Sequence, residues 1–304
     1  WNGRSEEDFD GMAATHQIMH RLSVEWSRIE PDPAFWDEDA LAKYRSWLVA
    51  LRARGIEPMV TLHHFSEPLW VAERGGWESE ETPRLFERFV RKVVNSLGDL
   101  VTYWCTINEP NGYAVLGWLS GKFPPGKKNL NVTFRVTANL LRAHAMAYHA
   151  IKARYPEAMV GWPQIFRGFQ PAHPGNKLDV WVARQQGRLF NRQWPEALRT
   201  GRMMTLTGSV SLPEVKDTFD FDTVTPTARN NTNPPSVWYS PSGSAIPVRV
   251  LKSSTSIWPS RSQGPSGRSG ADSGVFDSSS PINSWSRSSS VVSPRSVPCS
   301  STTN

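Results

Sequence analysis

LAKYRSWLVALRARGIEPMVTLHHF, residues 41–65, changes its periodicity halfway along. Leu41, Tyr44, Leu48 and Leu51 recur at the spacing of one helix face, Asp39 stands ready to cap that helix, and Gly55 supplies its stop. A strand follows at once over residues 56–65, so the stretch reads as a helix feeding directly into a strand. The same rhythm repeats on both sides. HRLSVEWSRI (20–29) mixes β-branched and aromatic residues as a buried strand does, and Pro31 and Pro33 end it. Leu85, Phe86, Phe89, Val90, Val93, Val94 and Leu97 mark a second helix that closes at Gly98 before the strand VTYWCTIN (101–108). A third helix is expected over 131–154, a strand over 158–166, a helix over 178–200 and a strand beginning at TFDF (218–221). Strands alternating with helices predict an α/β fold with a parallel sheet of about five βα units.

This texture stops abruptly. From Asp222 onward 83 residues hold 24 Ser, 10 Pro and 7 Thr, no Glu and a single Lys, with neither a two-residue nor a 3.6-residue period. Such a segment buries too little apolar surface to offset its chain entropy, so residues 222–304 are expected to be a low-complexity, disordered tail, and 1–221 the folded domain. The abruptness of the switch inside FDFDTVTPTARNN favours a shifted reading frame over a natural Ser/Pro-rich linker. The net charge of +6 follows the same division: residues 1–221 carry 27 Lys and Arg against 25 Asp and Glu, and 222–304 carry 7 against 3. The tail arginines, such as Arg229, Arg249 and Arg268, are too dispersed for a basic patch, so nucleic acid is not an expected partner. No apolar run is long enough for a membrane span, and no signal-peptide pattern is present. Two cysteines, Cys105 and Cys299, fit a reducing compartment, so the cytoplasm is the expected location. The chain opens on Trp1 rather than Met, from which a missing N-terminal piece is expected.

In parallel α/β sheets functional residues gather at the carboxyl ends of the strands. Three ends are chemically loaded: His63-His64, Asn108-Glu109 and, less clearly, Gln164. A carboxylate directly after an amide suits glycoside cleavage, in which an acid protonates the leaving oxygen and a neighbouring donor holds a sugar hydroxyl. His63 alternates to the face opposite His64 and is read as packing, and the pair lacks the spacing and further ligands of a metal site. No cofactor is expected. His144 and His149 read as surface or packing residues. Trp26, Trp70 and Trp104 could be stacking platforms for sugar or core.

WCTINEP (104–110) resembles the acid/base signature of family 1 glycoside hydrolases, and HRLSVEWSRIEP (20–31) and VTLHHFSEPLW (60–70) are similar to that family's second- and third-strand motifs. ERGGW (73–77), GWLSGKFPPG (117–126) and LPEVKDTFDF (212–221) follow in the family's order. The resemblance covers about residues 5–221. It implies a partial (β/α)8 barrel and a retaining β-glycosidase of β-glucosidase type acting on β-glycosides or oligosaccharides. It also implies site residues: Glu109 as general acid/base, Asn108 on the 2-hydroxyl, His64 on glycone hydroxyls, and Arg21 beside the nucleophile. Phe65 stands where many members have a stacking Trp. Residues 11–19 match poorly, and the family's first strand lies upstream of Trp1. The family's nucleophile, a Glu in a later TENG-like motif, is absent, and residues 222–304 contain no Glu to replace it. The expected consequence is an inactive chain from a β-glucosidase lineage. The alternative is a non-catalytic sugar-binding or interaction fragment.

Overall fold

The computed structural model describes residues 3–226 and two short strands, Trp238–Tyr239 and Ala245–Ile246. These lie in one compact unit, Trp1–Val250; the second, Leu251–Asn304, falls outside the described residues, as does most of the segment expected to be disordered.

Five parallel strands build the sheet in chain order: β1 (Met19–Ser23), β2 (Glu57–His63), β3 (Tyr103–Ile107), β4 (Met159–Phe166) and, after a small hairpin of β5 (Arg202–Met204) and β6 (Ser209–Ser211), β7 (Phe221–Pro226). The expected fifth strand is therefore present, and it runs past residue 221 to Pro226 along β4. The strands at 238–239 and 245–246 add antiparallel to its outer edge. One register line crosses the sheet through Ser23, Thr61, Cys105, Gly161 and Phe221.

Alternate residues separate the two faces. Val60, Leu62, Trp104, Val160 and Trp162 join the large core beneath the helices, whereas Met59 and Cys105 form a smaller cluster with Met19, Tyr103 and Met159. The helix side is filled by α3 (Glu38–Ala53), α5 (Thr82–Leu97) and α7 (Leu130–Arg154), with Leu48, Leu51, Phe86, Phe89, Val93 and Leu97 fully buried. Trp26, Trp70, on the short helix α4 (Leu69–Glu73), and Trp104 are core: Trp26 stacks on Phe89 at 5.3 Å and meets Trp70 edge-on at 6.0 Å.

Several expected boundaries move, each for a local reason. The cap of α3 is Asp37, which accepts from Ala40 N at 2.8 Å, rather than Asp39, which sits in the first turn. The run 20–29 is strand only to Ser23; Trp26–Ile29 forms a helical turn, α2, because the Trp26 indole donates to the buried Glu30 carboxylate (2.9 Å), which also pairs with Arg88. Beyond β2, Phe65 has φ 67°, which ends the strand at His63. The expected helix 178–200 splits into α8 (Lys177–Gly187), a wide turn at Arg188–Arg192, and α9 (Gln193–Thr200). Pro195 has no N–H to give the Asn191 carbonyl four residues back, and Gln164 Nε2 donates to that carbonyl instead, at 2.7 Å. The helix α1 (Ser5–Ala14) has no counterpart in the sequence reading. It buries only Phe9, against Leu51 and Ile56, and is held by Arg54 to Glu6 and Asp10.

Candidate active site

Glu109 follows β3 and caps the short helix α6 (Pro110–Ala114) with φ 43° and ψ 52°, a left-handed conformation that costs a non-glycine residue about 1–2 kcal/mol. Two backbone bonds impose it. Glu109 N donates to Pro163 O on β4 at 2.9 Å, and Tyr113 N returns to Glu109 O at 2.9 Å. Gly112 lets this turn approach β4, since a Cβ there would strike the Ile165 side chain. Strain of this kind, held by neighbours on both sides, is typical of a side chain aimed for chemistry.

The carboxyl is half-buried. Burial pushes its pKa above the ordinary range, and the positive charges of Arg21 and Arg167 oppose that shift without cancelling it. Asn108 is buried, its N–H bonded to His63 O at 2.8 Å, and its side-chain Oδ1 has no hydrogen-bond partner among the described residues. A buried amide oxygen left without a partner is costly in a folded chain, and this one keeps its capacity to accept from a ligand hydroxyl.

His64 is half-buried at the next strand end. Its Nδ1 meets Ser23 Oγ at 2.8 Å, across the β1–β2 pair. Burial lowers its pKa, the charge of Arg21 lowers it further, and Glu25 pulls the other way, so the ring is neutral at neutral pH. Arg21, on β1, acts electrostatically on Cys105, His64 and Glu109. His64, Asn108 and Glu109 thus follow the carboxyl ends of β2 and β3, and Arg21, midway along the adjacent β1, reaches His64 and Glu109 with its charge. Phe65 is packed face to face on Tyr113, with centroids 5.6 Å apart, and borders His64 at 5.1 Å.

The remaining candidates are structural. His63 is buried against Trp77, Phe86 and Tyr113, as its alternation predicts. His144 is a buried bridge rather than a surface group: Nε2 donates to Thr218 O at 2.6 Å, which leaves Nδ1 to accept from the Thr106 hydroxyl at 2.7 Å, and burial pushes its pKa down to about 3. His149 is exposed, and Gln164 props the turn of Asn191. Sequence reasoning missed Ser23, Arg167 and Glu67, the last of which accepts from Tyr113 O–H at 3.0 Å. The family model for glycosyl hydrolase family 1 matches residues 2–215.

The chain belongs to glycosyl hydrolase family 1. It is 30% identical over 190 residues to the cytosolic beta-glucosidase of Cavia porcellus, covering 59% of this chain and 39% of that one. It is 32% identical over 170 residues to beta-glucosidase A of Thermotoga maritima, covering 56% and 38%. In structure it is similar to the beta-glycosidase from Pyrococcus horikoshii, with a TM-score of 0.68 and 33% identity over 76% of this chain and 54% of that one. The chain thus spans about two fifths of these curated family 1 relatives and about half of the solved barrel. The five parallel βα units are a part of the family's TIM barrel.

Proposed function

We propose that Glu109 is the general acid/base of a retaining β-glycosidase site of β-glucosidase type. The observation that carries this reading is the half-buried Glu109 carboxyl, held above its ordinary pKa at a strand end beside a buried amide. An acid that is to protonate a glycosidic oxygen near neutral pH needs this environment. Asn108 then holds the hydroxyl adjacent to the reacting carbon. His64, fixed through Nδ1 by Ser23, offers Nε2 to glycone hydroxyls, and Phe65 closes the apolar side. Arg21 is the positive charge that supports the partner carboxylate. No metal or cofactor enters the scheme.

Retention needs a second carboxylate about 5–5.5 Å from the first, which forms and then releases a glycosyl intermediate while Glu109 turns from acid to base. Only burial and the two arginines act on Glu109, and no neighbouring carboxylate among the described residues contributes to its shift. This supports a reading in which residues 1–221, continued through β7 to Pro226, form an incomplete barrel domain, the Ser/Pro-rich sequence beyond it is foreign to that domain, and the 304-residue chain has no turnover of its own. The similarity to a cytosolic beta-glucosidase supports a cytoplasmic setting. No described helix is long and apolar enough to cross a membrane.

The test is hydrolysis of 4-nitrophenyl β-glucoside by the purified chain and by Glu109→Gln, beside re-sequencing of the parent gene. No turnover by either is the expected result. Turnover lost in Glu109→Gln would reveal a nucleophile within the chain and remove the inactive reading. Turnover that survives Glu109→Gln would remove Glu109 from its role.

A further inference from the structure

Immediately beyond β4 lies an open cavity of about 660 Å³ that the scheme above does not use. Phe166 and Phe169 line it together with Arg167, Arg184, Arg188 and Arg192, and among the described residues no carboxylate lines it. Three of the arginines stand four residues apart along α8 and the wide turn that follows, so their charges repel along one helical face, an arrangement that destabilises a helix unless something negative lies against it. Among the described residues no acid pairs with any of the four. Asp179, the acid on α8, is taken by His173 at 2.9 Å, Glu196 on α9 by Arg199 at 2.6 Å, and Arg188 has only the Met204 thioether, at 3.0 Å. Phe166 is half-exposed, and Arg167 lies over the Phe190 ring at 5.1 Å.

The cavity belongs to the reacting end of the sheet. It starts at the last residue of β4, the strand whose Pro163 carbonyl holds Glu109 N. Asn191, which lines it, brackets Arg167 by accepting from its N–H (3.0 Å) and donating to its carbonyl (2.7 Å). Asn111, two residues beyond Glu109, donates to Ile165 O and Phe190 O, tying the acid's own turn to the cavity wall. Arg167 also acts electrostatically on Glu109. Guanidinium forks match carboxylate, sulfate and phosphate in geometry as well as charge, and the phenylalanine faces suit an aryl ring.

We propose that this cavity receives an anionic aromatic aglycone, its ring against Phe166 and Phe169 and its acid group held by Arg167, Arg184, Arg188 and Arg192. The proposal rests on the glycosidase reading of Glu109 and adds to it a specificity for the leaving group. Phe166 sits at the strand end and the arginines line the cavity beyond it, so a ring leaving Glu109 as the phenol would carry its charge toward them.

The test titrates the full chain calorimetrically with 4-carboxyphenyl β-D-glucopyranoside and with phenyl β-D-glucopyranoside, in wild type and in Arg184→Ala/Arg188→Ala, two exposed positions on α8 and its wide turn. The expected result is binding of the carboxylate at least tenfold tighter than of the neutral glucoside at low salt. That advantage should be lost in the double variant, with affinity for the phenyl glucoside kept. Equal affinity for the two glucosides in wild type overturns the anionic aglycone and leaves the reading of Glu109 standing. Binding of neither glucoside overturns the glycosidase reading, and the aglycone assignment with it. Displacement of the carboxyphenyl glucoside by an equal concentration of inorganic phosphate reduces the cavity to a general anion site and also overturns the assignment.

Discussion

Glu109 and His144 carry opposite pKa shifts, both caused mainly by burial, and the signs make opposite predictions. Burial raises the Glu109 carboxyl, so its contribution to stability is fully present below the unfolded value of about 4.3 and is lost as pH rises through the folded value. Glu109→Gln, which is never charged, is therefore expected to be more stable than wild type at pH 7, with the gain vanishing near pH 4. Urea unfolding at the two pH values measures this, and a gain that is the same at both would contradict the burial account. His144 runs the other way. Its folded pKa is pushed down to about 3, so its stabilising bridge is intact above the unfolded value of about 6.5 and is lost as pH falls toward 3. By pH 4 the loss amounts to about 3 kcal/mol. His144→Gln should lower stability at pH 7 and flatten the pH dependence between 6.5 and 4. An unchanged slope would show that His144 is not the group being titrated.

At this scale the sequence reveals what is carried by residue type and spacing. Glu109, Asn108, His64 and Arg21 stand in contiguous motifs and could be singled out. Ser23 could not, because its contact with His64 depends on the β1–β2 register, which sets it opposite Thr61. Arg167 could not either. It lies in a loop, and only the fold of α8 and the Asn191 turn brings it within electrostatic reach of Glu109.

At the level of elements, the helices were legible where a wide apolar face repeats, as in α5, and illegible where one anchor suffices, as in α1 with Phe9. Boundaries depended on individual bonds. Asp37→Ala is expected to cost about 0.5–2 kcal/mol by removing the cap of α3, whereas Asp39→Ala should change stability much less. Equal effects in denaturant unfolding would return the cap to Asp39. The wide turn at Arg188–Arg192 makes a second element-scale prediction. Gln164→Leu leaves the Asn191 carbonyl, already deprived of a partner by Pro195, without its 2.7 Å donor. An expected loss of about 1–3 kcal/mol follows, measurable by thermal unfolding. A neutral outcome would mean that the turn is held by its own backbone. Periodicity alone ran a single helix through residues 178–200, because the residue that interrupts it, Pro195, sits within the first turn of α9, where proline is well tolerated.

On the scale of the whole molecule, the sheet presents Arg21, His64, Asn108 and Glu109 from β1, β2 and β3, with β4 and β7 continuing it. The number and direction of the parallel strands were readable from the alternation of helix and strand, since each βα unit buries its own stripe, whereas the β5–β6 hairpin and the antiparallel strands at 238–239 and 245–246 were not. What closes the site was not readable, because the proposed reading draws the second carboxylate of the retaining pair from outside the five parallel units. The central claim is that Glu109 is a working acid/base in an incomplete barrel. The most direct measurement joins residues 1–221 to the C-terminal half of the Pyrococcus horikoshii beta-glycosidase and follows 4-nitrophenyl β-glucoside hydrolysis. The account predicts turnover in the chimera, a fall of about 10²–10⁴-fold with Glu109→Gln, and none in the 304-residue chain. A folded chimera whose turnover is unaffected by Glu109→Gln would contradict it.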